Sequence, residues 1–289
     1  MNEKRVMDIL IALFLIMNVA LCGLNLITKE NRYKVSDKRI ANVTDLLESK
    51  GIHVNTKLDN RFDSKVGAEM QFQFYSMDVR MKLIENLFPN RDSIMQRFQA
   101  NSAIVKNEPA YGYKFENKTL IFDNYIFRYA DNDITYGKTD LVSAEGYCVS
   151  FLDKLGYDTK TLYKSVEEDD NKYVITYYQT IEDIPVLDLY FKFTVTSGGV
   201  KQLEIINGFV EINKDASSKI TPIDEVLFKS MDNMLEDNFK SIDSITLAYK
   251  KVGDKGITLG QRLVPVYMIK CNDKVIYVNA RSNKIIKNK

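Results

Sequence analysis

The sequence predicts an α+β protein, in which an N-terminal transmembrane helix precedes two antiparallel-sheet domains with helices packed on one face. Residues 9–27 are apolar without a single charge, and the rest of the chain alternates helical periodicities with runs of hairpin-like strands. The 40 Lys and Arg nearly balance the 39 Asp and Glu in 289 residues. Nucleic-acid binders need a basic face, so nucleic acid is not an expected partner.

The apolar run ILIALFLIMNVALCGLNLI is long enough to cross a bilayer as a helix. At roughly 1.5 Å per residue it reaches about 28 Å, close to the roughly 30 Å hydrocarbon core. A cleaved signal peptide needs a shorter apolar core and a small-x-small cleavage site, which the run does not clearly supply. Lipid attachment at Cys22 is disfavoured because Leu21 precedes it. We therefore predict that residues 1–29 form a cytoplasmic tail and an uncleaved signal anchor in the lipid bilayer.

The charges around the anchor give two indications of its orientation. Basic residues after it outnumber Lys4 and Arg5 before it, which alone does not favour a cytoplasmic N-terminus. However, a large C-terminal domain is translocated largely regardless of charge, and a short Lys-Arg tail is a usual cytoplasmic start. We expect a single-pass cell-membrane protein with a cytoplasmic N-terminus and residues 30–289 outside the cytoplasm.

One face of the predicted anchor carries two amides. Asn18 and Asn25 lie seven positions apart, and the same helical face includes Ile11, Phe14, Leu15, Leu21 and Cys22. An amide in hydrocarbon is costly without a partner, and polar contacts between membrane helices contribute about 0.6 to 2 kcal/mol. We hypothesise that this face docks on another transmembrane helix. The alternative is that Asn25 lies at the outer interface and that the membrane tolerates Asn18.

The first outer domain is predicted to span residues 30–135. Ser36 can cap a helix whose apolar residues repeat at helical spacing as far as Leu47, and Gly51 ends it. The boundary falls near residues 131–139, where Gly137 and polar residues break the periodicity. Between these points the patterns predict strands 52–58 and 68–76, helices 78–88 and 92–99, and strands 111–115 and 119–129.

The second outer domain is predicted to span residues 136–289. Its first helix covers residues 140–155 and ends at Gly156. Thr221 and Pro222 occupy the preferred cap and first-turn positions of a later helix. The predicted strands are 161–167, 172–182, 186–196, 200–212, 244–251, 262–271 and 274–280.

No catalytic set is recognisable in the sequence. His53 is the single histidine and alternates with Ile52 and Val54, which favours a surface or structural role over a general base. Cys148 and Cys271 fall in a helix and a strand, so one disulfide and two buried free thiols both remain open. We therefore predict a protein without enzymatic activity.

Cofactor, metal and ligand motifs are also weak. The glycines between residues 253 and 260 lack the Gly-Lys-Ser/Thr of a phosphate loop. Residues 131–133 begin like a calcium loop, but Tyr136 and Val142 replace its required Gly and Glu. Aromatic residues on strands 111–129 and 173–193 can stack on a ligand, although their alternation favours core packing. We predict neither a cofactor nor a metal site.

The C-terminal half contains segments typical of a known module. Residues 177–204, 220–231 and 264–286 are YYQTIEDIPVLDLYFKFTVTSGGVKQLE, ITPIDEVLFKSM and VPVYMIKCNDKVIYVNARSNKII. They resemble the PepSY-like module, in which a strand pair around Ile-Pro-Val precedes a capped helix and a closing hairpin. Tyr267 replaces an expected Trp, and Asn283 replaces a frequent turn Gly. Asn tolerates the left-handed backbone, so the turn is expected to survive.

The whole layout resembles the YycI branch of the YycH/YycI proteins, which are membrane-anchored regulators of the WalK sensor kinase in low-G+C Gram-positive bacteria. This resemblance implies a two-component-system regulator that contacts the sensor histidine kinase through its membrane helix and outer domain and tunes cell-wall metabolism. A YycH-like paralogue is a further candidate partner. The alternative is a PepSY-type inhibitor or chaperone of an exported peptidase or cell-wall hydrolase, which would hold a peptide at a sheet edge or on the aromatic strands.

Overall fold

The computed structural model describes residues 3–31, 33–89, 95–104, 108–252, 260–271 and 274–286. The helices are α1 Glu3–Asn31, α2 Asp37–Ser49, α3 Met77–Leu87, α4 Leu141–Leu155 and α5 Ile223–Glu236. The strands are β1 His53–Val54, β2 Ser64–Phe72, β3 Met95–Asn101, β4 Pro109–Phe115, β5 Lys118–Asp123, β6 Ile126–Asp131, β7 Tyr163–Asp169, β8 Lys172–Ile181, β9 Ile184–Thr196, β10 Gly199–Ile206, β11 Gly208–Lys219, β12 Ser241–Ile242, β13 Ser244–Lys251, β14 Gly260–Cys271, β15 Lys274–Asn279 and β16 Ile285–Ile286. The predicted α+β class is confirmed.

Contacts divide the chain into two compact units. The first comprises Met1–Lys65, Ser218–Ile245 and Met268–Lys289, and the second comprises Val66–Ser217 and Thr246–Tyr267. The predicted domains 30–135 and 136–289 are segments that we expect to fold independently. Contacts within the folded chain do not test whether a segment folds independently. That division therefore stays a prediction.

The second unit contains an antiparallel sheet in the order β3-β4-β5-β6-β10-β9-β8-β7. Every second residue of its central strands faces α3 and α4, as the alternation of aromatic and polar residues predicts. Leu83, Ile84, Ala144, Cys148, Leu152, Leu120, Phe122, Phe127, Tyr129, Phe191 and Phe193 belong to the resulting buried core. Each large apolar side chain fully buried here stabilises the fold by about 1.5 to 3 kcal/mol. The predicted core packing of the aromatic strands is confirmed.

A second group of strands in this unit follows the order β11-β2-β14-β13-β9. β13 runs parallel to β9, with Tyr249 opposite Val186, so the pairing is mixed. The fully buried Tyr249 donates a hydrogen bond to the carbonyl of Val66 at 3.0 Å, which satisfies its polar end. Gly67 allows close approach, because a Cβ at this position would lie 2.6 Å from the Cβ of Ala216.

The first unit contains short elements besides α1. α2 contacts α5, and β1 pairs in parallel with β12, with His53 opposite Ser241. β15 and β16 form the closing hairpin, whose turn contains Asn283 at φ 55°. The backbone amide of Asn283 donates a hydrogen bond to the carbonyl of Asn279 at 2.8 Å. The left-handed conformation expected of Asn283 is therefore confirmed.

The helix α1 runs without a break from Glu3 to Asn31. Its side chains are described at Met7, residues 10–25 and Thr28, and all of them apart from Gly23 are exposed. Within the described part of the chain, no helix combines the length and the apolar composition that a membrane crossing requires.

Several local predictions are wrong. The helix predicted over residues 92–99 is a strand in its described part, because β3 pairs with β4 along its whole length. The strand predicted over 119–129 is two strands, separated by a turn in which Asn124 has φ 57°. The strand predicted over 200–212 is likewise divided, at Asn207.

The predicted cap of α5 is also wrong. The N-cap is Pro222, and no side chain caps the helix. Thr221 lies one residue before the N-cap, and its backbone amide donates to the carbonyl of Ala280 at 2.6 Å. Ser36 does occupy the N-cap position of α2, although its side chain makes no capping hydrogen bond.

Candidate functional site

The seven residues predicted to contact another helix all lie on α1. Because the helix is continuous, their spacing places them on one face. The apolar side chains of Ile11, Phe14, Leu15 and Leu21 are 52% to 64% exposed. Asn18 and Asn25 are exposed between them, and Cys22 is an exposed free thiol. The face is thus available to a second helix, and its docking stays a prediction.

The other sides of α1 are equally apolar. Leu13, Ile16, Val19 and Leu24 point away from the amide-bearing face and are 59% to 71% exposed. Exposed apolar side chains thus surround the described part of α1, at a cost of about 25 cal/mol per Å² wherever water covers them. The two amides are therefore exceptional positions on α1.

A polar cluster lies on the face of the antiparallel sheet that is opposite to α3 and α4. Arg128 of β6 and Glu204 of β10 are directly paired across the strands, and Arg128 Nε donates to Glu204 Oε2 at 2.8 Å. Tyr190 of β9 donates its hydroxyl to Glu204 Oε1, also at 2.8 Å. Lys192 is the cross-strand neighbour of Glu204 on its other side. Both carboxylate oxygens of Glu204 are therefore occupied.

The cluster shifts the pKa values of Glu204 and Tyr190. Partial burial by itself raises the pKa of Glu204, but the hydrogen bonds from Arg128 and Tyr190 and the nearby cations bring it below its ordinary value. Burial and the hydrogen bond to Glu204 raise the pKa of Tyr190. At neutral pH the site therefore presents a charged, hydrogen-bonded carboxylate beside two cations.

This cluster borders a shallow cavity of about 360 Å³, which Thr119, Ile121, Thr194 and Gln202 also line. The sequence pattern does not reveal this cluster. The polar positions that alternate with the core aromatics are visible in the sequence, but Arg128 and Glu204 are 76 residues apart. Only the register of β6 against β10 brings them together.

A second groove lies between α2 and α5 and has a volume of about 320 Å³. Arg39 donates through Nε to Asp224 Oδ2 at 2.8 Å and through Nη2 to Glu225 at 3.2 Å, which joins the two helices. Phe228 borders the same groove and is 59% exposed. The segment ITPIDEVLFKSM thus provides both an ionic link between helices and an exposed aromatic side chain.

The histidine and the two cysteines considered in the sequence analysis differ in exposure. His53 is exposed on its short strand while Ile52 is fully buried, as their alternation predicts. Cys148 and Cys271 are free and buried, which agrees with the second alternative for these thiols. Burial raises the pKa of Cys148 to about 12, so this thiol is unreactive at neutral pH. Among the residues that the structure describes, no three His, Cys, Asp or Glu side chains form a metal-binding group. Of the glycines considered for phosphate binding, Gly253 and Gly256 lie outside the described residues.

Comparison with known proteins indicates the fold of this chain but does not assign the chain to a family. No family model matches this chain, and no curated protein matches it. The structure of YycH from Bacillus subtilis matches with a TM-score of 0.51 and 14% identity, over 83% of this chain and 61% of that chain. The chain has a YycH-like fold.

Two further structures match. An uncharacterized protein from Eubacterium rectale matches with a TM-score of 0.57 and 12% identity, over 82% of this chain and 90% of that chain. The C-terminal domain of YpeB from Bacillus megaterium has a TM-score of only 0.42 and 13% identity, over 75% of this chain and 100% of that domain. The latter value is too low to indicate a shared fold, so the PepSY-like module and the YycI branch stay predictions.

Proposed function

We propose that this protein is a membrane-anchored extracytoplasmic regulator that binds a two-component sensor histidine kinase of the WalK type and so modulates cell-wall metabolism. The observation that carries the proposal is α1, a continuous helix with exposed apolar side chains on all sides and two amides on one face. The YycH-like fold and the sequence resemblance to the YycH/YycI family support it. A YycH-like paralogue is a further candidate partner.

In this proposal α1 lies in the cell membrane, with its N-terminus in the cytoplasm and the remaining chain outside. The apolar surface of the helix then contacts lipid and the kinase, whereas Asn18 and Asn25 hydrogen-bond to a kinase helix. The exposed Phe228 beside Arg39 provides a contact for the outer part of the kinase.

Regulation follows from binding that distinguishes two states of the kinase. A kinase exists in an equilibrium between an active and an inactive state. The bound protein shifts this equilibrium only by the difference between its affinities for the two states. A difference in affinity of about 1.4 kcal/mol changes the ratio of the two states tenfold. A few hydrogen bonds and one aromatic contact are sufficient for such a difference.

The Asn18→Leu/Asn25→Leu variant tests the helix contact. We expect at least about sevenfold less kinase to co-purify with the full-length variant from membranes of a Gram-positive host, because each of the two lost polar contacts costs about 0.6 kcal/mol or more. Ala20→Leu is the matched control, since Ala20 lies on the opposite side of α1 and the substitution adds a similar apolar group. Equal recovery of kinase with the Asn variant and the wild type would contradict the helix contact.

The alternative function is inhibition or chaperoning of an exported peptidase or cell-wall hydrolase. It is favoured by β11, a mostly exposed strand that lies at the end of the described strand order and pairs with β2. Such an edge can hold an extended peptide by adding it as a further strand. The same purification separates the two functions, because recovery of a hydrolase instead of a kinase would favour the alternative.

A further inference from the structure

A cavity of about 450 Å³ lies beside the edge strand β3. Met77 and Arg80 of α3, Arg97, Phe98 and Gln99 of β3, and Tyr111, Gly112 and Tyr113 of β4 line it. The described lining therefore includes two cationic side chains and no carboxylate. Arg80 and Arg97 give the cavity a positive charge.

Arg80 is the unusual member of this lining. Its side chain is only 9% exposed, and its Nε and Nη1 atoms are buried without a hydrogen-bond partner among the described residues. A buried guanidinium without an anion is costly, because its charge loses hydration that no described carboxylate offsets. An anionic ligand in the cavity would supply the missing partner.

The guanidinium of Arg80 is held in place before any ligand arrives. Its Cζ lies 3.8 Å from the centre of the Tyr111 ring, which is a cation–π contact. Ser76 accepts a hydrogen bond from the Val79 amide and fixes the first turn of α3, from which Arg80 projects. Little side-chain freedom is therefore lost when a ligand binds.

The walls of the cavity select an organic anion over a free inorganic one. The rings of Phe98 and Tyr111 are 39% and 37% exposed and provide an apolar surface next to the charge. Gly112 leaves room for this arrangement, because a Cβ there would collide with the ring of Phe98. A planar guanidinium matches a carboxylate through two parallel hydrogen bonds.

The strand that borders the cavity can receive a peptide. β3 lies at the end of the strand order, it pairs with β4 on one side, and no described strand pairs with its other side. Its residues from Gln96 to Asn101 are all exposed. Unpaired backbone groups along such an edge bind extended peptides.

We propose that this cavity is a binding site for a carboxylate of an extended peptide, with Arg80 as the anion-binding residue, Phe98 and Tyr111 as apolar walls and β3 as the backbone edge. The site requires neither a membrane nor a kinase, so it goes beyond the proposed function. Its carboxylate comes from an acidic side chain or from a peptide C-terminus.

Calorimetric titration of the purified full chain in detergent tests the site with matched peptides. The probes are a blocked, amidated pentapeptide with a central Glu between Val and Thr residues, the same peptide with Gln, and the Gln peptide with a free C-terminal carboxylate. We expect the Glu or the free-carboxylate peptide to bind at least about tenfold more tightly than the blocked Gln peptide, and the stronger of the two identifies the source. Equal binding of all three peptides, or binding of inorganic phosphate in their place, would overturn the proposal.

The variant Arg80→Met tests the assigned residue. Its preference for the carboxylate peptide should disappear, while Lys82→Met, which removes an exposed charge from the same helix, should retain it. Without peptide, Arg80→Met should unfold at a higher temperature than the wild type, because an unpaired buried charge is removed. A lower unfolding temperature together with unchanged peptide binding would show that Arg80 is purely structural.

Discussion

Glu204 shows how single side chains on the outer face of the sheet depend on partners distant in sequence. Its carboxylate accepts hydrogen bonds from Arg128 and Tyr190, which belong to the two neighbouring strands. Cross-strand ion pairs of this kind contribute about 0.2 to 1 kcal/mol when they are partly exposed. The cluster therefore orders the surface more than it stabilises the fold.

The variant Glu204→Gln tests this contribution and its pH dependence. Because the pKa of Glu204 is lowered on folding, the carboxylate stabilises the folded state at pH values above the unfolded-state pKa of about 4.3. The stabilisation is lost as the pH falls through the lowered pKa. We expect the variant to unfold about 0.5 to 1 kcal/mol more easily at pH 7, with the difference vanishing at the lowest pH.

Urea unfolding between pH 2.5 and pH 7 measures this difference. Glu211→Gln, on the exposed strand β11, is the control, and its effect should be small at every pH. A difference between wild type and Glu204→Gln that grows as the pH falls would contradict the assigned role of the carboxylate.

At the scale of residues, the sequence identified those whose role depends on neighbours along the chain. The left-handed Asn283 follows from its position in a short turn, and the exposure of His53 follows from alternation. Arg80 and Glu204 were not identified, because their surroundings come from strands and helices that only the fold brings together. A charged residue in a strand or helix has the same local pattern whether it faces water or a cavity.

The helix α4 shows an element whose two ends are determined locally. Asp140 accepts a hydrogen bond from the amide of Ser143 at 2.9 Å, and Gly156 ends the helix at φ 85°. The amide of Tyr157 then donates to the carbonyl of Leu152 at 3.0 Å. These caps explain why the predicted bounds, 140–155 with Gly156 at the end, agree with the observed helix.

Gly156→Ala should destabilise the protein by about 1 to 2 kcal/mol, because the left-handed conformation is unfavourable for an L-residue by that amount. Gly146→Ala is a matched control in the middle of the same helix, where a Cβ meets nothing within 4 Å. That substitution should stabilise the protein by about 0.5 to 1 kcal/mol, since Ala favours the helix interior. Thermal or urea unfolding should show stability changes of opposite sign for the two variants. Two stability changes of the same sign would refute this account of α4.

The strand β3 shows an element that local pattern does not determine. Residues 92–99 contain apolar side chains at a spacing that a short helix also accommodates, so the sequence predicts a helix. In the fold, all seven residues of β3 pair with β4, from Met95 opposite Phe115 to Asn101 opposite Pro109. Pairing with a distant partner overrides such a weak local preference.

For the whole molecule, the exposure of α1 indicates that this helix adds little to the stability of the folded chain. Its described side chains bury almost nothing against the rest of the chain, and Gly23 alone among them is half-buried. Deleting residues 1–31 should therefore leave the unfolding temperature of the remaining chain unchanged within about 2 °C, since little apolar burial is lost. The same deletion should abolish recovery in the membrane fraction.

Circular dichroism melting and cell fractionation measure these two outcomes. The full-length Ala20→Leu variant is the control, because it keeps the helix and should remain in the membrane fraction. A large fall in the unfolding temperature of the deleted chain would show that α1 is part of the folded core.

The pairing of β6 with β10 has a consequence for the order in which the chain acquires its fold. Residues 126–130 are bonded to residues 202–206, so the centre of the antiparallel sheet joins segments more than seventy positions apart. Because the chain is synthesised from its N-terminal end, the meander from β3 to β6 forms first, and β6 remains an open, aggregation-prone edge. Completion then waits for the hairpin of β9 and β10, and such a long-range closure is slow compared with local hairpin formation. Newly made chains would consequently depend on protection of that edge until β10 has paired with it.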